Sequence, residues 1–374
     1  MQKRVVTYIF LFFITITNSV ANDGGFYIDG NQLIPMLETD ISVKKEILTI
    51  NRSIKNPEQA EVIVYYEFYN PGEEKTITVG FEATSPSGDA QILPVNGNHP
   101  YLHEFTVEMN SRFLPYQIAI VGDSLYYKNG KFRTLTQQQI EADVDDCGEC
   151  GAFRYVYHFD ASFKKGLNII KHTYTCDFST FVGSHYVFGY VLSAAMRWGN
   201  HQIDDFTLNI NMGEKQLLNI DPSFFKDVSE WIILGIGKSH ITRHTLSLEP
   251  TAQFFIQKGY LTFQAKNFKP KGELNFYSPR DFFDSNSFDY KKNKYLPYNI
   301  NLYLSEDGSM TAADDMSKKI LRNLPFAWRG YVFYTPELRD YYEKQIWYYP
   351  DASYRSEIDS LSDSEKEWVQ YWSQ

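Results

Sequence analysis

The sequence predicts a mainly β protein: an antiparallel β-sandwich, either one large sandwich or two in tandem, followed by a small helical module. Between residues 41 and 304, apolar and polar residues alternate in short, β-branched runs separated by turn residues, which is typical of half-buried strands. Strand and helix patterns do not alternate as they would in a dinucleotide-binding fold. After residue 317, apolar residues recur at spacings of three and four, which indicates helices.

Residues 1–21 are expected to be a secretory signal peptide. Lys3 and Arg4 form a short basic start, a mainly apolar run follows, and Ser19-Val20-Ala21 provides the small residues of a cleavage site. The apolar run is too short for a comfortable membrane span. The first cysteine is Cys147, so the usual bacterial lipid-anchoring signal is missing. We therefore expect a mature protein with no membrane span and no lipid anchor, in the periplasm, on the cell surface or secreted.

The charge of the chain argues against a nucleic-acid partner. The sequence has 36 basic and 46 acidic residues, and removal of the signal peptide leaves 34 basic residues and a net charge of −12. An acidic chain with only short basic clusters is repelled by phosphate backbones.

Residues 22–304 are assigned to the sandwich, either as one unit or as two subdomains. Asn70-Pro71-Gly72 separates two alternating runs, and Asn129-Gly130 supplies the positive φ angles that a two-residue hairpin turn needs. Residues 135–152 are polar and acidic and are predicted to form an excursion between strands. Further alternating runs are predicted as strands at 153–160, 167–178, 185–198, 204–213, 230–237, 241–250, 252–268 and 272–278.

Residues 305–317 are predicted to be a polar linker, and residues 318–374 a helical module. Asn323 followed by Pro325 predicts that one short helix ends there and another begins. Thr335-Pro336-Glu337 is typical of a helix start, with a capping hydroxyl and a proline in the first turn. The sequence of residues 362–365, Ser-Asp-Ser-Glu, predicts a capping box at the start of a last helix.

The module resembles the YARHG domain of bacterial secreted proteins. The positions of the name motif are occupied by Phe326-Ala327-Trp328-Arg329-Gly330, in which the Ala and Gly match. The continuation also follows the family pattern, at residues 331–333, 335–338 and 347–350. Residues 22–50 resemble the start of the β-rich region carried by Bacteroides-type secreted proteins that end in this domain. The resemblance implies a non-cytoplasmic bacterial protein with a binding or structural role, and it supplies no catalytic residues.

The module contains five candidate binding residues. Trp, Tyr and Arg dominate binding hot spots, and an aromatic surface with an arginine suits sugar rings or an extended peptide. The candidates are Trp328, Arg329, Tyr331, Trp347 and Tyr348. Packing is the competing interpretation for each of them, and it is the one that we apply to Phe326, Phe333, Leu338 and Tyr342.

The three cysteines are disulfide candidates. Either Cys147 and Cys150 bond to each other and Cys176 is free and buried, or one of the pair bonds to Cys176. A redox role for the pair is disfavoured because the acidic residues around it raise thiol pKa values.

The sequence predicts no metal and no cofactor. A zinc site that includes His172 and Cys176 is disfavoured, because a strand separates them by about 13 Å. His240 and His244 lack the glutamate of a helical zinc motif, and the stretch at Asp284 lacks the turn glycine of a calcium loop.

The predicted function is that of a secreted, non-catalytic binding or structural protein whose C-terminal module docks on a cell-envelope polymer or protein. The chain has no Gly-x-Ser-x-Gly elbow and no phosphate-binding loop, so the prediction leans away from an enzyme. One alternative is a secreted hydrolase that acts on glycan or peptide with two carboxylates. Another is a structural or assembly protein whose tail packs on its own sandwich.

Overall fold

The structure is a computed structural model that describes residues 25–26, 32–37, 39–122, 126–147, 150–181, 183–244, 249–279, 302–304, 310–312 and 314–374. The predicted signal peptide and the stretch at Asp284 lie outside these residues.

Strands form about half of the described chain, and the protein is mainly β as predicted. In the first half they are β1 (Gly25–Phe26), β2 (Gln32–Pro35), β3 (Ser42–Arg52), β4 (Gln59–Asn70), β5 (Lys75–Thr84), β6 (Ser87–Gly88), β7 (Leu102–Met109), β8 (Arg112–Phe113), β9 (Gln117–Gly122), β10 (Tyr127–Lys128) and β11 (Lys131–Phe132). The later strands are β12 (Phe153–Phe163), β13 (Gly166–Asp177), β14 (Ser184–Tyr190), β15 (Ile203–Asn211), β16 (Gln216–Ile220), β17 (Trp231–Arg243), β18 (Pro250–Phe268), β19 (Leu274–Pro279), β20 (Leu302–Leu304) and β21 (Met310–Ala312).

Helices are few and short. They are α1 (Gln137–Cys147), α2 (Asp315–Trp328), α3 (Pro336–Tyr342) and α4 (Asp363–Tyr371), with 3₁₀ turns at Ser193–Arg197, Val228–Glu230 and Ile358–Ser360. Helix α1 lies in the segment that was predicted as a polar excursion. Thr136 and Gln139 exchange capping hydrogen bonds at its start, and Ile140 is buried in the sandwich core.

Two sheets form the sandwich, so the predicted fold class is confirmed. The smaller sheet has the order β2-β5-β12-β9. The larger has the order β14-β19-β16-β18-β15-β3-β4-β13-β7-β8, and β17 pairs with the other edge of β18. Strands β15 and β3 are parallel, and this pairing joins the first half of the sandwich to the second. The two halves therefore share one continuous sheet.

The core includes residues of the smaller sheet and of both halves of the larger one. Along β4, every second residue is buried, which is the alternation the sequence predicted. Phe81 of β5 contacts aromatic rings of both sheets, with ring centroids 5.1 Å from Phe105, 5.1 Å from Tyr174 and 5.8 Å from Tyr157. Such aromatic pairs add to the energy of area burial.

The predicted turn and helix starts are confirmed, whereas the predicted capping hydroxyl of Thr335 is wrong. Asn129 and Gly130 have φ angles of 52° and 74° and join β10 to β11. Helix α4 starts with the predicted capping box of Ser362 and Glu365. Helix α3 starts at Pro336, although Thr335 makes no capping hydrogen bond with its side chain.

One helix prediction is wrong, because α2 runs without a break through Pro325. It begins at Asp315, within the segment predicted as a linker, and the Asp314 carboxylate accepts a hydrogen bond from the Ser317 backbone N–H at 2.6 Å. A proline in a helix leaves the carbonyl four residues earlier without its usual donor. Here that carbonyl belongs to Leu321, and the indole N–H of Trp368 donates to it at 2.6 Å.

Candidate functional site

The helical module is packed on the sandwich. Leu217 of β16 and Phe255 of β18 are buried in the same apolar cluster as the module residues Leu324, Trp347 and Trp368. The Phe255 ring centroid lies 5.8 Å from that of Tyr349 and 6.4 Å from that of Trp328. Phe255 has no exposed surface, because the module covers the face of β18 that carries it.

Two lysines of the sandwich complete this contact. The Lys238 ammonium donates to the Tyr348 carbonyl at 2.7 Å and lies 4.7 Å from the Tyr349 ring centroid. The Lys215 ammonium lies 5.6 Å from the ring centroid of Trp328. Burial lowers the pKa of both lysines, and the charge of Arg329 lowers that of Lys215 further. Cation–π contacts of this kind stabilise a partly desolvated interface.

The arginine among the five candidate binding residues is held by an internal ion pair. The guanidinium of Arg329 donates to both carboxylate oxygens of Glu365, at 2.6 and 2.7 Å, and to the Pro325 carbonyl at 3.0 Å. Glu365 is buried, and its carboxylate also accepts from the backbone of Ser362 at 2.8 Å. This bidentate pair ties the end of α2 to the start of α4.

The aromatic candidates lie in the module core or at its contact with the sandwich. Trp347 is 8% exposed and Tyr348 is 2% exposed. The Tyr348 hydroxyl donates to the Tyr331 carbonyl at 2.7 Å, and Trp328 packs on Trp347 with ring centroids 5.3 Å apart. The five candidates are therefore brought together at the module core, where Trp347 and Tyr348 are buried and Trp328, Arg329 and Tyr331 are half-buried.

Two other aromatic residues of the module are exposed. Tyr334 is 82% exposed and Tyr371 is 40% exposed. Neither was predicted as a binding residue. In the sequence, only the alternation of buried and exposed positions distinguishes Tyr334 from its buried neighbour Phe333.

The cysteine and histidine candidates occupy different environments. Cys176 is a free, buried thiol whose pKa is raised by burial. Cys150 is disulfide-bonded, and the side chain of Cys147 lies outside the described part of the chain. His172 is fully buried next to aromatic rings, and burial lowers its pKa to about 3. His240 lies in β17 and His244 just after it, and burial lowers the pKa of His240.

Carboxyl groups with raised pKa values would favour the hydrolase alternative. Asp221 is a carboxyl group of this kind, because burial raises its pKa while the charge of His244 opposes the shift.

The sandwich has an open cleft beside its first half, which we call the Tyr116 cleft. Its volume is about 370 Å³. It is lined by Val95, Asn96, Asn98, His99, Pro100, Leu102, His103, Glu104, Phe105, Tyr116 and Tyr157. Tyr157 belongs to the smaller sheet and Phe105 to the larger one, so the cleft opens where the two sheets meet.

Aromatic rings form the inner wall of the Tyr116 cleft. The Phe105 ring centroid is 5.0 Å from that of Tyr116 and 5.0 Å from that of Tyr157. Tyr116 is 38% exposed, whereas Phe105 and Tyr157 are buried. The buried Tyr157 hydroxyl faces the backbone of His99 without a hydrogen bond of good geometry, and burial raises its pKa.

His99 supports one side of the cleft in a defined tautomer. The Tyr101 backbone N–H donates to Nδ1 at 3.1 Å, so Nδ1 is an acceptor. The proton is therefore on Nε2, which donates to the Thr84 carbonyl at 3.0 Å. This pair of bonds fixes the neutral ring of His99.

A second groove, which we call the outer groove, continues from the cleft along the large sheet. Its volume is about 590 Å³. It shares His103 and Glu104 with the Tyr116 cleft, and its other lining residues are Ser53, Lys55, Gln59, Glu61, Val62, Ile63, Thr173, Tyr174 and Thr175. The two concavities therefore meet at one short segment of β7.

That segment contains a β-bulge. Thr175 pairs with His103 and Thr173 pairs with Thr106, so Glu104 and Phe105 both lie opposite Tyr174. Glu104 has a φ angle of 52°, in the left-handed region that non-glycine residues rarely adopt. Bulges occur often next to binding sites, where they re-aim a side chain.

Comparison with known proteins identifies the module and a similar fold. Residues 293–374 match the YARHG domain, so the predicted domain is confirmed, and the match begins before residue 318. The chain matches no curated protein. The crystal structure of a "putative nutrient binding protein" from Legionella pneumophila has a TM-score of 0.50 and 17% identity, and covers 94% of this chain and 98% of that one. At this identity the similarity shows the fold alone.

Other similar structures are more distant. An aminopeptidase N family protein from Idiomarina loihiensis has a TM-score of 0.25 and 10% identity, and covers 62% of this chain and 28% of that one. An M1 zinc metallopeptidase from Deinococcus radiodurans has a TM-score of 0.24 and 8% identity, and covers 64% and 43%. Neither carries an argument about this chain. In the part of the chain that the structure describes, every helix is too short or too polar to cross a membrane.

Proposed function

We propose that the protein is a non-catalytic binding protein of the bacterial envelope or extracellular space. In this proposal the sandwich carries the ligand site, and the YARHG domain is a docked, structural part of the molecule. The signal-peptide pattern at residues 1–21 and the YARHG domain support a location outside the cytoplasm. The description of the similar Legionella pneumophila structure as a "putative nutrient binding protein" supports a binding role.

The observation that carries the proposal is the internal use of Arg329, Trp347 and Tyr348, three of the five candidate binding residues. The guanidinium of Arg329 is bound by the Glu365 carboxylate, and Trp347 and Tyr348 are almost fully buried. A hot spot for an external partner needs side chains that a partner can cover. Open concavities of the part of the chain that the structure describes, among them the Tyr116 cleft and the outer groove, lie on the sandwich.

A second candidate function is docking of the module on an envelope polymer through residues other than the five predicted in the sequence. Tyr334 and Tyr371 are the exposed aromatic side chains of the module among the described residues. Aromatic rings on a surface are suited to polymer contacts. This candidate differs from the first because it places the partner on the module.

A binding experiment distinguishes the two candidates. We would purify residues 22–374, screen neutral sugars, amino acids and short peptides by thermal shift, and test co-sedimentation with peptidoglycan sacculi. The first candidate predicts a ligand-dependent rise in melting temperature that a Tyr334→Ala, Tyr371→Ala double variant retains. It also predicts that mass spectrometry finds the ligand unchanged after incubation. Turnover of the ligand would refute a non-catalytic role, and co-sedimentation lost in the double variant would favour polymer docking through the module.

A further inference from the structure

We propose that the Tyr116 cleft and the outer groove together bind a short, uncharged glycan, with one sugar ring stacked on Tyr116. This inference rests on the proposed function, because it names the ligand class of the sandwich site. Four features carry it: the size of the concavities, the aromatic wall, the balance of polar and charged groups, and the backbone at the point where the two concavities meet.

The size suits a small oligosaccharide. Small-molecule sites have volumes of roughly 300–1,000 Å³, and the Tyr116 cleft, at about 370 Å³, is at the lower end of this range. The outer groove adds about 590 Å³. A ring in the cleft therefore has space for linked units along the groove.

Tyr116 is held in position for stacking. Its ring lies 5.0 Å from that of Phe105 and 5.9 Å from that of Tyr157, and both of these supporting rings are buried. The exposed part of Tyr116 therefore has few alternative orientations, and a ligand that packs on it loses little side-chain entropy. One face of a pyranose ring carries mainly C–H groups, which pack on an aromatic face as apolar surface does.

The polar groups of the two concavities suit hydroxyl-rich ligands. Ser53 donates to Glu61 at 2.7 Å and Gln59 donates to Asp177 at 2.6 Å. The Ser53 hydroxyl oxygen also accepts from the Asn56 backbone N–H at 3.4 Å, which leaves one lone pair on it for a ligand, and the Gln59 carbonyl oxygen is oriented with its lone pairs available. The lining also has hydroxyl and amide groups on Asn96, Asn98, Thr173 and Thr175.

The charges of the lining favour an uncharged ligand. Lys55 and Glu61 line the outer groove, and His103 and Glu104 line both concavities. His103 lies 3.6 Å from the Asp177 carboxylate, measured between Nε2 and Oδ1. Acidic and basic groups therefore both line the site, and a ligand of one sign would gain at one group and lose at another.

The backbone where the two concavities meet also indicates a ligand contact. Glu104 has a left-handed φ angle of 52° at the bulge of β7, and its side chain is exposed. On the opposite rim, Asn96 and Gly97 have φ angles of 53° and 78° in a tight turn between Val95 and Asn98. A glycine would adopt the Glu104 conformation at less cost, and strained residues of this kind cluster at ligand clamps. We assign Glu104 as a ligand contact.

Saturation-transfer NMR on residues 22–374 tests the inference. The probes are cellotriose, maltotriose, xylotriose and N,N′,N″-triacetylchitotriose, with trigalacturonate and the chitosan trimer as charged counterparts. We expect saturable binding of at least one neutral trisaccharide and weaker binding of the charged trimers. Tyr116→Ala should weaken that binding about tenfold or more, which corresponds to one stacking contact, and Tyr116→Phe should retain it.

Phe113→Ala is the matched control. Phe113 is 75% exposed on the neighbouring strand β8 and lines neither concavity, so its loss should leave binding unchanged. Near-UV circular dichroism checks that every variant is folded. The inference is overturned if no neutral trisaccharide binds, or if Tyr116→Ala binds as tightly as the parent. A non-sugar ligand found in the thermal-shift screen would then leave the proposed function in place with a different ligand class.

Discussion

Phe255 tests whether the YARHG module is a structural part of the sandwich. It belongs to strand β18, but its ring is buried in the cluster of module residues. Its neighbour Phe254 is equally buried on the other face of the same strand, within the sandwich core, where its ring centroid is 5.6 Å from that of Trp231. The two phenylalanines therefore form a matched pair, because they share the strand, the residue type and the degree of burial and differ in the residues that they contact.

The expected cost of either substitution is large. Replacement of a buried phenylalanine by alanine typically costs 3–5 kcal/mol. Phe255→Ala removes the contacts with Tyr349 and Trp328. Because these contacts join the module to the sandwich, the free energy needed to detach the module falls by the same amount. A loss of about 3 kcal/mol speeds opening-limited amide exchange by about two orders of magnitude. In Phe254→Ala the same cost reduces the stability of the sandwich.

Native-state hydrogen exchange, read by mass spectrometry, separates these outcomes. Phe255→Ala should speed exchange in helices α2 to α4 and leave strands β4, β5 and β12 protected as in the parent. Phe254→Ala should speed exchange in the strands of the sandwich. If Phe255→Ala leaves exchange in the module unchanged, the module is held by other contacts and our account of the interface is wrong.

Three further predictions concern single contacts. His172 has a pKa of about 3 in the fold against 6.5 when unfolded, so the unfolded chain binds more protons between these values and stability falls as pH drops from 6.5 towards 3. Between pH 7 and pH 5, His172 should lower the free energy of unfolding of the parent by about 2 kcal/mol. His172→Phe should not show this part of the decrease, which urea denaturation at both pH values measures. Arg329→Met leaves the buried Glu365 carboxylate without its cation and should lower the free energy of unfolding by about 3 kcal/mol. Lys366→Met removes one partner of an exposed ion pair and should lower it by under about 1 kcal/mol. Trp368→Phe leaves the Leu321 carbonyl without a donor and should cost about 1–3 kcal/mol, with faster exchange at the end of α2.

Local sequence patterns predicted the parts of the fold that local physics determines. The Asn129-Gly130 turn needs two positive φ angles, which these two residue types adopt at low cost. The capping box of Ser362 and Glu365 satisfies backbone donors within four residues. Neither feature depends on the rest of the chain, and both were correctly predicted.

Features that depend on distant residues were not predicted. The parallel pairing of β3 and β15 joins segments about 160 residues apart, with Ile47 opposite Thr207, and alternation within each strand says nothing about its neighbours. The Tyr116 cleft is built from the turn at Asn96, the bulge of β7 and strand β12. Nine of its eleven lining residues lie between residues 95 and 105, but its aromatic wall also needs Tyr116 and, from strand β12, Tyr157. The stretch 95–105 therefore carries no motif for the cleft by itself.

The five candidate binding residues show why surface and core are hard to distinguish in an aromatic module. Trp, Tyr and Arg are typical of hot spots, but a small module also needs large rings to bury enough area. Composition therefore fits both roles, and position decides between them. Pro325 shows the same dependence: its helix continues because Trp368, 47 residues from Leu321, supplies the hydrogen bond that the proline removes. A tryptophan of the module can thus be the donor that completes a helix, and the search for a ligand moves to the sandwich.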